Sequence, residues 1–262
     1  MIIYKTNIIF YYLLYPLDFF IYKILKINFI KDKKILILFS NYRSGTCFLF
    51  SALENHCDIS NIGALFGTIY KPIEKKKRKL ELVFKGIMPL SFILIKTISV
   101  KERNILFKIF ESHYQHIHRR LLKNKDFAFI ILERKNYLAS YVSKKIAIKT
   151  GVWGIRNSST QSKVWKVKVN INKLNKFVNE NQKYYSKIKK KVTKSIYIKY
   201  NNLIFDNEKT INNILDFSGL RKENLKSNFH KQGSNNVLDH IINKDEVIEY
   251  CKSIDMKIGL NI

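Results

Sequence analysis

The densest chemistry in the chain sits in six consecutive residues, Tyr42-Arg43-Ser44-Gly45-Thr46-Cys47. These are side chains that hold a phosphate. Arg43 offers a bidentate cation, Ser44 and Thr46 offer hydroxyl donors, and Gly45 lets the backbone approach an anion closely. The loop follows a short continuous apolar run, Ile35–Phe39, and precedes a helical pattern over 47–55. A helix start presents N–H groups with no partner inside the helix, together with the positive end of its dipole, so an anion is favoured there. The spacing is not G-x-x-x-x-G-K-[ST]. Without that Lys-Ser/Thr pair the usual Mg²⁺ ligand is missing, which disfavours a nucleoside triphosphate. An ordinary strand-to-helix turn is the plain alternative.

A second stretch carries the same kinds of side chain. Arg134 ends the apolar run Phe127–Leu132, and Ser143 follows nine residues later on an expected helix. Arg134 and Ser143 can grip one phosphate, from the strand end and from the helix side. The alternative is a solvent-facing arginine and an unrelated helix-surface serine. In open α/β sheets ligands bind at the carboxyl ends of strands, where both loops would sit.

The elements that position these loops follow from the apolar pattern. Ile35–Phe39, Phe127–Leu132 and Ser195–Tyr200 read as strands, the first two as strands covered on both faces. Helices are expected over 47–55, 80–123 (broken at Pro89), 137–149, 169–190, 210–218 and 244–254. Strands alternating with helices give an α/β fold with a mostly parallel central sheet flanked by helices. With 262 residues, one such domain is expected over 34–262, behind an N-terminal apolar arm, 1–33.

The arm's apolar run, Ile8–Leu17, is too short to span a bilayer, and Pro16 and Asp18 sit near the middle of the longer stretch. Three readings stay open: a helix lying in a membrane interface, a segment packed on the core, or a spanning anchor. The net charge of +28 leaves two readings open, a solvated surface from biased composition or a field for anionic partners such as an anionic membrane surface. Residues 71–79, KPIEKKKRK, read as a solvated basic face. No nucleic-acid motif is present, and the lysines are spread evenly, so no nucleic acid is expected. Cys47, Cys57 and Cys251 show no zinc spacing and are too few for a disulfide framework. No metal is expected, and a reducing, cytoplasmic setting is the default. The oligomeric state is left open.

Together the two loops resemble the sulfotransferases that use 3′-phosphoadenosine 5′-phosphosulfate, in particular the bacterial carbohydrate-acting branch of trehalose and Nod-factor sulfotransferases. That resemblance implies a P-loop-NTPase-like domain in which Arg43, Ser44, Gly45 and Thr46 cradle the 5′-phosphosulfate, with Cys47 where Thr or Ser is usual. It implies that Arg134 and Ser143 hold the 3′-phosphate, within Arg134, Lys135, Asn136, Leu138, Val142 and Ser143. Ala147 with Thr150–Trp153, and Tyr200-Asn201-Asn202-Leu203, also match that branch, Asn201 replacing a Glu. Lys231-Gln232 with Ile242-Asn243 resembles a late segment near the nucleotide, which makes Lys231 a cofactor-binding candidate. The implied acceptor is a hydroxyl of a carbohydrate or glycolipid, met on the inner face of the cytoplasmic membrane if the arm is interfacial. One departure stands out: the family's G-E-[LI]-F, whose Glu is the base, reads Gly63-Ala64-Leu65-Phe66 here. Either one of Glu54, Asp58, His113, His116 and His118 substitutes, or transfer is weak or lost and the chain is a nucleotide- or glycan-binding relative.

Overall fold

The computed structural model describes residues 2–29, 31–67, 84–111, 113, 115–155, 164–192, 194–229 and 236–256. Its elements run α1 (Ile2–Phe29), β1 (Lys34–Ser40), α2 (Thr46–Leu53), β2 (Ile59–Asn61), α3 (Pro89–Ile98), β3 (Asn104–Phe110) and α4 (Gln115–Lys123). They continue β4 (Phe127–Glu133), α5 (Tyr137–Thr150), α6 (Ile171–Lys189), β5 (Ser195–Lys199), α7 (Tyr200–Phe205) and α8 (Asn207–Ser218). A 3-10 turn (Val237–His240) and α9 (Lys244–Ser253) close the described chain.

The fold is α/β, with a five-stranded all-parallel central sheet in the order β2-β3-β1-β4-β5, flanked by helices. β1 and β4 are interior strands, which is why both are unbroken apolar runs. β4 is buried along its whole length and β1 from Ile35 onward, whereas edge strand β5 is exposed at both ends. The chain leaves β1 toward β2 and β3 on one side and later takes β4 and β5 on the other. The switch point therefore falls between β1 and β4, and their carboxyl ends lead into Tyr42–Cys47 and Arg134.

One stretch corrects the sequence reading. Residues 80–123 are not helical throughout, because Asn104–Phe110 is strand β3, paired in parallel with β2 (Ile59 beside Asn104, Asn61 beside Leu106). Asn-Ile-Leu-Phe-Lys-Ile-Phe is a short apolar run, and periodicity alone cannot tell such a run from a buried helical segment. A place beside β1 in the sheet decides it. Residues 71–79 lie outside the described residues.

The chain divides into two compact units. The first comprises Met1–Leu38, Asp58–Phe129 and Lys191–Lys194. Here α1 packs on α3, and the residue that interrupts the apolar arm in sequence becomes the fastening. Asp18, fully buried, accepts bonds from Leu90 N (3.2 Å), Ser91 N (2.9 Å) and Ser91 Oγ (2.8 Å) in the first turn of α3. It thus caps α3 from another helix, at the positive end of its dipole. Arg120, also buried, completes the cluster with Nη1 at 3.0 Å from Asp18 Oδ2 and 2.7 Å from the Ile87 carbonyl. Lower on α1, the buried Tyr22 donates to Asp126 (3.2 Å), which also pairs with Lys26 at 2.6 Å. Among the described residues no helix is long and apolar enough to cross a membrane.

The second unit comprises Phe39–Cys57, Ile130–Lys190 and Ser195–Ile262. Part of its core forms where α5 and α6 meet the late segment, around Leu138, Val142, Leu174, Val178, Val237 and Val247. A parallel bridge from Val167 to Ile241 closes that segment.

Candidate functional site

The second unit holds both sequence loops, and the structure brings them together. β1 ends at Ser40, and the chain turns through a backbone that most residues avoid. Arg43 has φ +63° and Gly45 φ +83°, both left-handed. For Arg43 this conformation costs on the order of 1–2 kcal/mol, and surrounding contacts must hold it. The Arg43 carbonyl accepts from Arg134 Nη1 at 3.1 Å. Arg43 Nε donates to Ser143 Oγ at 2.8 Å, and its Nη1 donates to the Trp153 carbonyl. Trp153 in turn packs on Tyr42, ring centroids 5.8 Å apart.

Beneath the loop lies a buried polar frame. Ser40 and Thr46 share a hydroxyl–hydroxyl bond of 2.8 Å. Tyr185 Oη accepts from Asn41 N (3.0 Å) and donates to the Leu132 carbonyl (2.8 Å), while Asn41 Nδ2 donates to Asn181 Oδ1. Ser44 also bonds Tyr185, and burial holds the Tyr185 phenol protonated well above its ordinary range. Ser44 and Thr46 are therefore buried parts of the frame as well as candidate ligand donors.

Gly45 is required twice over. Besides its φ, a Cβ there would meet Tyr200 Cδ2 and Cε2 at 2.9 Å. Gly45 is the N-cap of α2 and supplies no side-chain cap; the first intrahelical bond runs from Leu49 N to Gly45 O at 3.1 Å. The amides of the first turn precede that bond and have no partner within the helix. Cys47 stands there as a half-exposed free thiol.

Arg134, 7% exposed, stacks its guanidinium on the Tyr200 ring, 4.4 Å from the centroid. Burial pushes its pKa below the ordinary arginine value. Arg43 is also lowered, first by burial and then by the charge of Arg134, with Cys47 and Tyr200 acting the other way. Two cations thus stand side by side at adjacent strand ends. Asn136 is the N-cap of α5, accepting from Ala139 N at 2.9 Å, so that helix and Ser143 are aimed from a fixed start. At its other end Gly151 is a left-handed cap, after which the chain delivers the Trp153 carbonyl to Arg43.

Arg43, Ser44, Gly45, Thr46, Cys47, Arg134 and Ser143 therefore gather at adjacent strand ends. Lys231 and Gln232 lie outside the described residues. Asn243 is occupied elsewhere: it bonds both Val169 N and Val169 O at 2.9 Å and fastens the late segment. Sequence reading missed Tyr185 and Asn181 as supports of the loop and took Tyr200 only as a motif letter. A tyrosine pair on a helix, Tyr184-Tyr185, carries no local signal of that task.

In the first unit, Gly63-Ala64-Leu65-Phe66 forms a turn, with Gly67 N donating to Ala64 O at 2.8 Å. Ala64 offers no base. His113 lies in the segment after β3, not on a helix. Burial and the nearby Lys85 charge push its imidazole down to about 4. Its Nδ1 accepts from Phe110 N at 3.4 Å, which leaves the proton of the neutral ring on Nε2. His118 is buried, Glu54 and Asp58 are exposed, and nothing is described of the His116 side chain.

Folding also assembles a trio that sequence spacing does not reveal: ligand atoms of His56, Cys57 and Glu223 lie within 4.8 Å of one another. Two of the three are engaged within the protein, Glu223 by the Arg221 guanidinium (2.7 Å) and His56 Nε2 by the Arg221 carbonyl (3.1 Å), while Cys57 is an exposed free thiol.

No protein-family model and no curated protein matches the chain. Among solved structures it is similar to a sulfotransferase from Alicyclobacillus acidocaldarius (9% identity, 86% of this chain and 94% of that one, TM-score 0.47). It is similar also to the sulfotransferase domain from the curacin biosynthetic pathway (14%, 73% and 76%, TM-score 0.47). A third likeness is to the sulfotransferase domain from the Synechococcus PCC 7002 olefin synthase (14%, 87% and 97%, TM-score 0.47).

Proposed function

We propose that the chain is a sulfotransferase that moves a sulfuryl group from 3′-phosphoadenosine 5′-phosphosulfate to a hydroxyl of a carbohydrate or glycolipid. The observation that carries this reading is the meeting of two motifs 100 residues apart, Arg43 Nε on Ser143 Oγ at 2.8 Å, with Arg134 on the Arg43 carbonyl. Two guanidinium groups, hydroxyls and a helix start make a donor set suited to a polyanion.

The bound donor supplies an activated sulfuryl group whose departure leaves charge on a phosphate oxygen, chemistry that asks for positioning and charge stabilisation. Arg43 is held from two sides, so its cation is in place before reaction and little reorganisation is needed. The first-turn amides of α2 add fixed partial positive charge beside it. Arg134 holds the loop backbone and adds a second cation for the nucleotide. The proposal calls for no metal.

Ala64 favours a second reading: a relative that binds the nucleotide or a glycan without transfer. With an imidazole down at about 4, His113 is a poor substitute base at neutral pH. The test is calorimetry with adenosine 3′,5′-bisphosphate, then labelled-sulfate transfer to cell-envelope glycans. Arg43→Ala is expected to cost roughly 10²–10³ in rate, the scale of one lost oxyanion donor, and Arg134→Ala to weaken nucleotide affinity. Nucleotide binding with no transfer to any acceptor selects the second reading. No nucleotide binding at all ends the transfer reading and leaves only a glycan-binding relative.

A further inference from the structure

We propose that the outer face of α1 seats the protein on an anionic lipid surface. This rests on unit-one geometry alone and stands apart from the sulfuryl-transfer reading. Asp18 and Tyr22 face inward and are fully buried. On the opposite side Leu17, Phe20, Ile24 and Ile27 are 45%, 62%, 44% and 68% exposed. Their spacing of three, four and three residues puts them on one stripe of a helix. α3, which packs on α1, has exposed apolar side chains of its own, Ile95 and Ile98. A contiguous apolar stripe of large side chains marks an interaction surface rather than ordinary scatter.

Charge selects the occupant. Lys31 follows α1, Lys96 neighbours Ile95, and both are exposed. The chain carries +28 overall. Two copies would meet as like charges, whereas an anionic bilayer attracts them both electrostatically and through the apolar stripe. On such a surface α1 lies along the interface with its stripe in the acyl boundary and Lys31 among the headgroups, while Lys23 and Lys26 stay paired with Asp126.

The experiment is co-sedimentation of the full chain with phosphatidylcholine vesicles, with and without phosphatidylserine. Capture is expected only with phosphatidylserine and should fall as salt rises. The triple variant Phe20→Ser, Ile24→Ser, Ile27→Ser should lose about a hundredfold in affinity while keeping its near-UV circular dichroism, because all three side chains are on the surface. Lys31→Glu with Lys96→Glu should lose about fivefold or more per position without touching the stripe. No capture by phosphatidylserine vesicles, or undiminished capture of the triple variant, overturns the proposal. So does a dimer in sedimentation equilibrium that the triple variant dissolves, which would make a second copy the occupant.

Discussion

Two arginines, one in each compact unit, are almost equally buried, Arg120 at 3% and Arg134 at 7% exposure. Their company differs. Arg120 meets the Asp18 carboxylate, which also caps α3, and the cluster is neutral as a whole. Arg134 meets a backbone carbonyl, the face of Tyr200 and the neighbouring charge of Arg43. Arginine cannot shed its proton in a protein, so a pair of them crowded at adjacent strand ends keeps both charges and draws an anion. Depth of burial does not distinguish a fastening from a site; the sign of the neighbour does.

Removing the neighbour of Arg120 is the strongest way to test that contrast. Asp18→Ala leaves a buried cation uncompensated and is expected to destabilise the fold by about 3–5 kcal/mol, read by urea denaturation. A loss below about 1 kcal/mol would make the cluster dispensable and erase the difference between the two units.

His113 offers the intermediate case, a group beside a like charge that can give up its own. Its unfolded value is near 6.5 and its folded value about 4. Between these the unfolded chain binds more protons, so stability is full above pH 6.5 and falls as pH drops toward 4. The total is about 3 kcal/mol. Histidine-to-glutamine at this position should flatten that part of the profile. Identical slopes in the wild type and His113→Gln would show that Lys85 and burial do not set its charge.

The smallest effect compares two left-handed glycines, one in each unit. Gly45 and Gly63 have similar φ, +83° and +77°, but a Cβ at Gly45 meets the Tyr200 ring while one at Gly63 meets nothing within 4 Å. Gly63→Ala should cost about 1 kcal/mol for backbone strain alone. Gly45→Ala should cost about 2 kcal/mol more, from overpacking, and should disturb anion binding. Equal melting temperatures in the two variants would mean that the Tyr200 ring yields freely.

The site was legible where chemistry is dense in sequence. Arg43 to Thr46 and Arg134 with Ser143 announce themselves by residue type and by the apolar strands that precede them. Interior strands β1 and β4 were legible because being covered on both faces forces an unbroken apolar run. Strand β3 was not, since its run reads the same whether helix or sheet accepts its backbone groups. Asp18 was read as an interruption because its partners, Ser91 and Arg120, lie 73 and 102 residues away. Asn243 shows the opposite error, a motif residue whose amide is spent on the Val169 backbone.

The bond between Asp18 and Arg120 also sets an order of events during synthesis. At about 5–20 residues per second, roughly 5–20 s pass on the ribosome between the making of the carboxylate and the making of its cation. Throughout that interval the first helix has neither its cation nor, at the start, the helix it will cap. A nascent chain in that state exposes both the inner and outer faces of the segment, so a chaperone or a nearby bilayer has its longest opportunity before the protein is finished.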